Sequence, residues 1–229
     1  MKKQVIVLSL GGSLIIPDNV DIGFLLKFKK IILRNTKKYK FVVVCGGGSI
    51  ARKYIAALRE AGMSEKLQSF SGISATRMNA RFMTYLFSRD PGAGIPHTVE
   101  TLKSYLKKEA VVFCGALEYK PNQTSDSTAA SLASKFKTIF INLTNVAGLF
   151  TKNPKKYKDA KFIPKITWKN FDKMASSGGF KPGQHFVLDQ SASKIIMKHK
   201  IPTYILGQNL KDLEQVLRGK KFRGTVIEG

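Results

Sequence analysis

Apolar positions along the chain follow two alternating rhythms. Short runs rich in Val, Ile, Leu and Phe give way to longer stretches in which apolar residues return every three or four positions. These are the signatures of buried strands and of amphipathic helices. The first run, QVIVLSL at 4–10, reads as a strand, and IGFLLKFKKIILRN at 22–35 reads as a helix. KFVVVC at 40–45 is a second strand, and the helix SIARKYIAALREAG follows it and closes at Gly62. A long helical region covers about 65–88, with Ile73, Met78, Phe82 and Leu86 at near-helical spacing. Those four are expected in the core or at a subunit interface. TVETLKSYLKK then leads to a third strand, AVVFCG, a polar loop and the helix SDSTAASLASKF at 125–136. KTIFINLTN is the fourth strand, and GLFTKNPKKYKDAKFIPKI, with Asn-Pro between two short apolar runs, predicts a hairpin with a basic turn. SASKIIMKH, PTYILG, LKDLEQVLRG and GTVIEG continue the alternation. Strand and helix in this order predict an α/β fold with a mainly parallel sheet covered on both faces. No repeat, low-complexity linker or heptad array divides the chain, so residues 1–229 read as one domain with two lobes, about 1–135 and 136–229.

Charge narrows the choice of partner. Against 15 Asp and Glu stand 39 Lys and Arg, a net +24 over 229 residues. Such a surface favours anions: phosphorylated metabolites first, then nucleic acid or an anionic membrane face. The basic residues are scattered in ones and twos and lack an aromatic-rich motif, a weak footprint for nucleic acid. Cys45 and Cys114 each end an apolar run before a glycine, the pattern of reduced, buried thiols. His97, His185 and His199 form no metal-ligand spacing with them. The apolar runs are too short to span a membrane, and MKKQVIVLSLGGSLI carries no cleavage-like site, so a soluble cytoplasmic protein is expected.

The chemistry concentrates where strands end. In an open parallel sheet ligands gather at the carboxyl ends of the strands, and four such ends here carry small or polar residues: SLGGS, CGGGSIAR, CGALEYKPNQTSDS and NLTN. Glycines let backbone N–H groups approach an oxyanion, and a helix starting there adds roughly +0.5 charge from its macrodipole. Arg52, one helical turn beyond Gly46–Gly48, has the side chain for a bidentate phosphate contact. Neither a Walker P-loop nor a proper dinucleotide G-x-G-x-x-G is present. Two glycine turns and a hydroxyl-rich helix start at 124–128 suit two phosphoryl groups facing each other, although a glycine turn is also an ordinary tight connection.

The ordered set LSLGGSLI, VVCGGGSIARKYI, GISATRMNA, TSDSTAASLA, LTNVAGLFTKNPKK and SKIIMKHKIPTYIL resembles the amino acid kinase superfamily, and within it archaeal-type uridylate (UMP) kinases. The resemblance covers essentially the whole chain. It implies a three-layer αβα sandwich with an acceptor-binding N-terminal lobe and an ATP-binding C-terminal lobe. It also implies ATP with Mg2+, UMP as acceptor, and a homo-oligomer, commonly a hexamer. Carried across by position, Gly11, Gly12, Ser13, Gly48 and Arg52 would meet the ATP phosphates. Thr144, Asn145, Phe150, Asn153 and Lys181 would hold the rest of the nucleotide. Gly47, Ser69, Gly72, Thr124, Ser125 and Asp126 would bound the acceptor. Arg52, Lys194 and Asp126 would be the catalytic set, with Asp126 orienting groups instead of serving as a strong base. Asp126 also suits a helix N-cap and Lys194 a solvated helix face.

Departures from the family pattern nearly all remove negative charge or its partner. Ser9 stands where a lysine is frequent, and Ala147 interrupts N-V-D-G. Ser69 replaces an acid, Asn153-Pro154 replaces D-P, and the acceptor loop KPNQTSD is longer than usual. They leave two alternatives to UMP phosphorylation: a non-catalytic nucleotide-sensing or oxyanion-binding protein of the same fold, or a kinase for another small phosphorylated or carboxylate acceptor. Relatives acting on isopentenyl phosphate use a histidine soon after the second glycine cluster, where SIARKY has none.

Overall fold

The computed structural model describes residues 3–119, 124–154, 156–176 and 187–229. Strand β1 (Gln4–Leu10) leads through the one-turn helix α1 (Gly12–Ile15) into α2 (Ile22–Asn35). Strand β2 (Tyr39–Cys45) precedes α3 (Gly48–Glu60), α4 (Glu65–Leu86) and α5 (Val99–Lys108), and β3 (Val111–Cys114) follows them. Helix α6 (Ser125–Phe136) and β4 (Phe140–Leu143) come next, then the short strands β5 (Leu149–Phe150), β6 (Phe162–Ile163) and β7 (Lys165–Ile166). The remaining elements are α7 (Trp168–Ser176), α8 (Gln190–His199), β8 (Thr203–Leu206), α9 (Leu210–Leu217) and β9 (Thr225–Ile227).

Among the described residues, seven strands form one sheet in the order β3-β2-β1-β4-β8-β9-β7, and β5 pairs with β6 as a separate antiparallel hairpin. Neighbours from β3 to β8 are parallel, whereas β9 runs antiparallel to β8. Side-chain alternation sorts the core into two layers. Ile6, Leu8 and Leu10 pack with Leu25, Phe28 and Ile32 of α2 and with Leu213 of α9. Val7 faces the other layer, with Ala129 and Ala133 of α6 and Ile196 of α8. Helices on both faces make the three-layer sandwich.

The apolar quartet on α4 divides. Phe82 and Leu86 pack against the core, Ile73 is half-buried and Met78 is 59% exposed. The buried face is instead Ala75, Thr76, Asn79, Ala80, Met83 and Thr84. At 3.6 residues per turn Met78 falls opposite that face. Small residues suit the buried side because the backbone after β3 comes so close: a Cβ on Gly115 would lie 2.5 Å from the Thr76 hydroxyl oxygen. Segment 168–176, for which no element was expected, forms α7, burying Phe171 and Ala175 one turn apart. Its Trp168 indole N–H donates to the Ile201 carbonyl at 2.9 Å.

Candidate functional site

The chain moves outward from β1 to β2 and β3, then returns to the far side of β1 with β4. That reversal opens a crevice beyond the carboxyl ends of β1 and β4. Two glycine turns meet beside it. A Cβ on Gly12 would stand 1.9 Å from the Gly48 nitrogen and 2.7 Å from the Gly46 carbonyl carbon, so backbone packs directly on backbone. Gly48 takes φ +65 as α3 begins, a left-handed conformation natural to glycine. The glycines therefore pack on each other, and Ile16, its carbonyl accepting from the Ser49 N–H at 3.1 Å, lies over the start of α3. Just inside it, Ser49 is buried and its hydroxyl has no hydrogen-bond partner among the described residues. Buried polar groups are normally paired, so this hydroxyl is open to a water or a ligand oxygen. Gly11 continues the first turn, its N–H donating to the Leu143 carbonyl at 2.9 Å.

Strand parity sets the next feature. Ser9 lies on the same face of β1 as Val7, toward α6, and is fully buried. Its hydroxyl donates to Asp126 Oδ1 at 2.7 Å across 117 positions of sequence. Asp126 is not the N-cap of α6; Thr124 is, with Ser127 completing a capping box. Thr124 and Ser127 both donate to Asp189, the N-cap of α8, at 2.5 Å and 2.7 Å. Burial, and then the Asp189 carboxylate, push the Asp126 carboxyl up to about 7, with the Ser9 hydrogen bond pulling the other way. The side chain facing position 9 is thus Asp126, and the uncharged Ser9 is fully engaged. Beside it in register, Asn142 on β4 donates to the Val187 carbonyl at 2.7 Å.

Helix α4 frames the opposite side. Arg77 donates to the Ala116 and Leu117 carbonyls at 3.1 and 2.7 Å, Thr76 accepts from Ala116 N–H, and Asn79 donates to the Gly46 carbonyl at 2.7 Å. One helix thereby holds the exits of β2 and β3 together. Phe70 stacks on Tyr119 with ring centroids 5.1 Å apart, and Gly72 passes Gly47 closely enough that a Cβ there would meet its carbonyl at 3.6 Å.

Gly11, Gly12, Gly47, Gly48, Thr124, Asp126 and Thr144 thus gather at the strand ends, Thr144 N–H bonding to the Leu206 carbonyl. Ser13, Ser125 and Asn145 are half-buried in the same segments. Arg52 is exposed on α3, its guanidinium 3.4 Å from the Pro17 carbonyl. Lys194 is exposed on α8, five residues after Asp189, and Ser69 is exposed on α4. Phe150 and Asn153 belong to the hairpin, where the Phe150 and Phe162 rings meet edge to face at 5.3 Å. Lys181 lies outside the described residues. Sequence patterns gave no sign of Ser49, Arg77 and Asp189 as site residues; Ser49 and Arg77 sit inside CGGGSIAR and GISATRMNA and Asp189 lies two residues before SASKIIMKH, but only tertiary contact reveals their roles. A separate cavity of about 260 Å3, lined by Arg89, Tyr105 and Val111 among others, opens at the amino end of β3, away from these residues.

The Amino acid kinase family model matches residues 4–207. The uridylate kinase of Thermoplasma volcanium is 35% identical over 226 residues, covering 97% of each chain. That of Archaeoglobus fulgidus is 35% identical over 225 residues, covering 97% of this chain and 99% of its own. The crystal structure of the Archaeoglobus fulgidus uridylate kinase superposes with a TM-score of 0.83 at 32% identity, over 98% of this chain and 99% of that one. UMP kinase from Ureaplasma parvum, 22% identical with a TM-score of 0.79 over the full length of both chains, shares the fold. With the glycine turns abutting at the head of β1 and β2 and the hydroxyl-capped start of α6 beside them, the chain belongs to the amino acid kinase family.

Proposed function

We propose that this protein transfers the γ-phosphoryl group of ATP to UMP, giving UDP and ADP. One observation carries the reading: the chain matches archaeal uridylate kinases end to end while keeping the elements that surround the crevice. An oxygen of the UMP phosphate attacks the γ-phosphorus as the bond to the β,γ-bridging oxygen breaks, and ADP leaves with that oxygen. No covalent protein intermediate is needed, so the protein contributes positioning and charge neutralisation. The Ser49 hydroxyl and the positive end of the α3 dipole favour phosphate oxygens, and exposed Arg52 and Lys194 bring positive charge. Thr124, Ser125 and Asp126 bound the acceptor side. Mg2+ entering with ATP would supply charge neutralisation at the phosphates. Among the described residues no group of three or more His, Cys, Asp or Glu side chains could hold an ion unaided, which suits an ion carried in with the nucleotide and its waters.

The N-terminal lobe then serves the acceptor and the C-terminal lobe the nucleotide, in a cytoplasmic homo-oligomer that reaches a hexamer. Exposed Tyr54, Leu67, Phe70 and Met78 on α3 and α4 support association, and no described helix is long and apolar enough to cross a membrane. The test is UDP formation by 31P NMR with Mg-ATP, comparing UMP with CMP, isopentenyl phosphate and acetylglutamate. UMP should be the preferred acceptor and CMP a poor one; equal or faster turnover of another acceptor would overturn the reading.

A further inference from the structure

Helices α6 and α8 enter the fold from distant parts of the chain, yet their first turns are joined by one side chain. Asp189 uses both carboxylate oxygens. Oδ1 accepts from the Ala192 N–H at 2.8 Å and from the Ser127 hydroxyl at 2.7 Å. Oδ2 accepts from the Thr124 hydroxyl at 2.5 Å and again from Ser127 at 2.8 Å. Capping α8 requires only the Ala192 contact. The remaining contacts reach 62 and 65 positions back along the chain, to the turn that carries Asp126.

We propose that Asp189 is a positioning residue for phosphoryl transfer, tying the first turn of α6 to the first turn of α8 and so fixing where Thr124 and Asp126 stand beside the reacting phosphates. What is positioned rests on the UMP kinase reading; the contacts do not. On that reading two phosphoryl groups would meet here beside two carboxyl groups, an arrangement that repulsion would disrupt if every group were fully charged. Burial and the Asp189 charge raise Asp126 to about 7, so it carries a proton for part of the time near neutrality and repels phosphate less.

Other charges around Asp126 are few among the described residues. Helix α6 packs against α8, β1, β2 and β4. Strand β1 presents uncharged Ser9, and β4 has no ionisable side chain. Strand β2 ends in the buried Cys45, whose thiol burial pushes well up, with Tyr39 and Lys40 at its far end. On α8, Lys194, Lys198 and His199 are exposed, and Asp172 of the adjoining α7 accepts from Ser193. Asp189 is the charge that meets the turn directly.

The test compares the parent with Asp189→Asn and Asp189→Ala. Asparagine caps a helix about as well as aspartate, so Asp189→Asn keeps α8 capped while losing the charge and one acceptor oxygen. Its kcat for UMP should fall roughly 10- to 100-fold, with KM for ATP changing far less, and the pH limb of kcat/KM should move to lower pH. In the ligand-free protein, carboxyl 13C NMR should show the Asp126 midpoint below the parent value of about 7. Asp189→Ala should be slower still, with partial rescue in the asparagine variant. If Asp189→Ala fails to fold, Asp189→Asn decides alone. An unmoved Asp126 midpoint, or a parent-like kcat in Asp189→Asn, overturns the proposal and leaves Asp189 a helix cap. A parent without UMP turnover would instead refute the proposed function, and the ligand-free midpoint would still decide whether Asp189 governs Asp126.

Discussion

Replacing Asp126 with asparagine should make the ligand-free fold more stable above neutral pH. The carboxyl titrates near 7 in the fold against an ordinary value of 3.8, so the folded state binds its proton more tightly than the unfolded chain does. That contribution to stability is fully present below pH 3.8 and is lost as pH rises through about 7. At about 1.4 kcal/mol per pKa unit, the full shift corresponds to about 4 kcal/mol. Asp126 keeps some solvent contact, so about half of this, ~2 kcal/mol, is the expected effect. Asparagine cannot ionise, and its carbonyl still accepts from Ser9. It forfeits the favourable carboxylate at a helix start, about 0.5 kcal/mol. The advantage of Asp126→Asn should therefore be about 1–2 kcal/mol larger near pH 8 than near pH 4.5, roughly 2–8 °C in Tm for a chain this long. Thermal unfolding of parent and variant at both pH values measures it, and titrations common to both cancel. A pH-independent difference, or a variant that is less stable at pH 8, would refute the reasoning. Catalysis should suffer as stability rises, as expected where a strained group serves function.

Three other substitutions probe the site. Gly12→Ala should cost about 3 kcal/mol or more, or abolish soluble expression, because its Cβ would fall 1.9 Å from the Gly48 nitrogen and no flexible side chain is there to yield; urea midpoints check this. Arg77→Ala frees the Ala116 and Leu117 carbonyls, so it should destabilise by about 2 kcal/mol and raise KM for the acceptor more than for ATP. Arg52→Ala should lower kcat by about 10²- to 10³-fold while Tm stays within about 2 °C, since the side chain is exposed; unchanged turnover would make GGGSIAR a structural turn only.

The sequence by itself determined the order and type of the main elements. Strand β1 and helices α2 and α6 occupy 4–10, 22–35 and 125–136 as their apolar rhythm and caps indicate. Such signals act between residues a few positions apart, which is why they are legible in a linear chain. The glycine turns and the hydroxyl-rich start of α6 were equally visible, and the ordered motifs pointed to the family. Tertiary structure alone decided what those motifs touch. Gly12 faces Gly48 because β1 and β2 lie side by side in parallel. Strand parity implied that Ser9 shares a face with Val7, but its pairing with Asp126 depends on α6 crossing that face. Asp189 looks in sequence like any helix cap. It reaches Thr124 and Ser127 because α6 and α8 pack on the same side of the sheet. Met78 shows the converse, an apolar residue at plausible spacing left outside the chain's own core because the sheet approaches α4 from its small-residue side. Local periodicity is set by the backbone repeat, whereas contacts across 60 to 117 positions exist only once the strand order β1-β4-β8 has closed the loops between them.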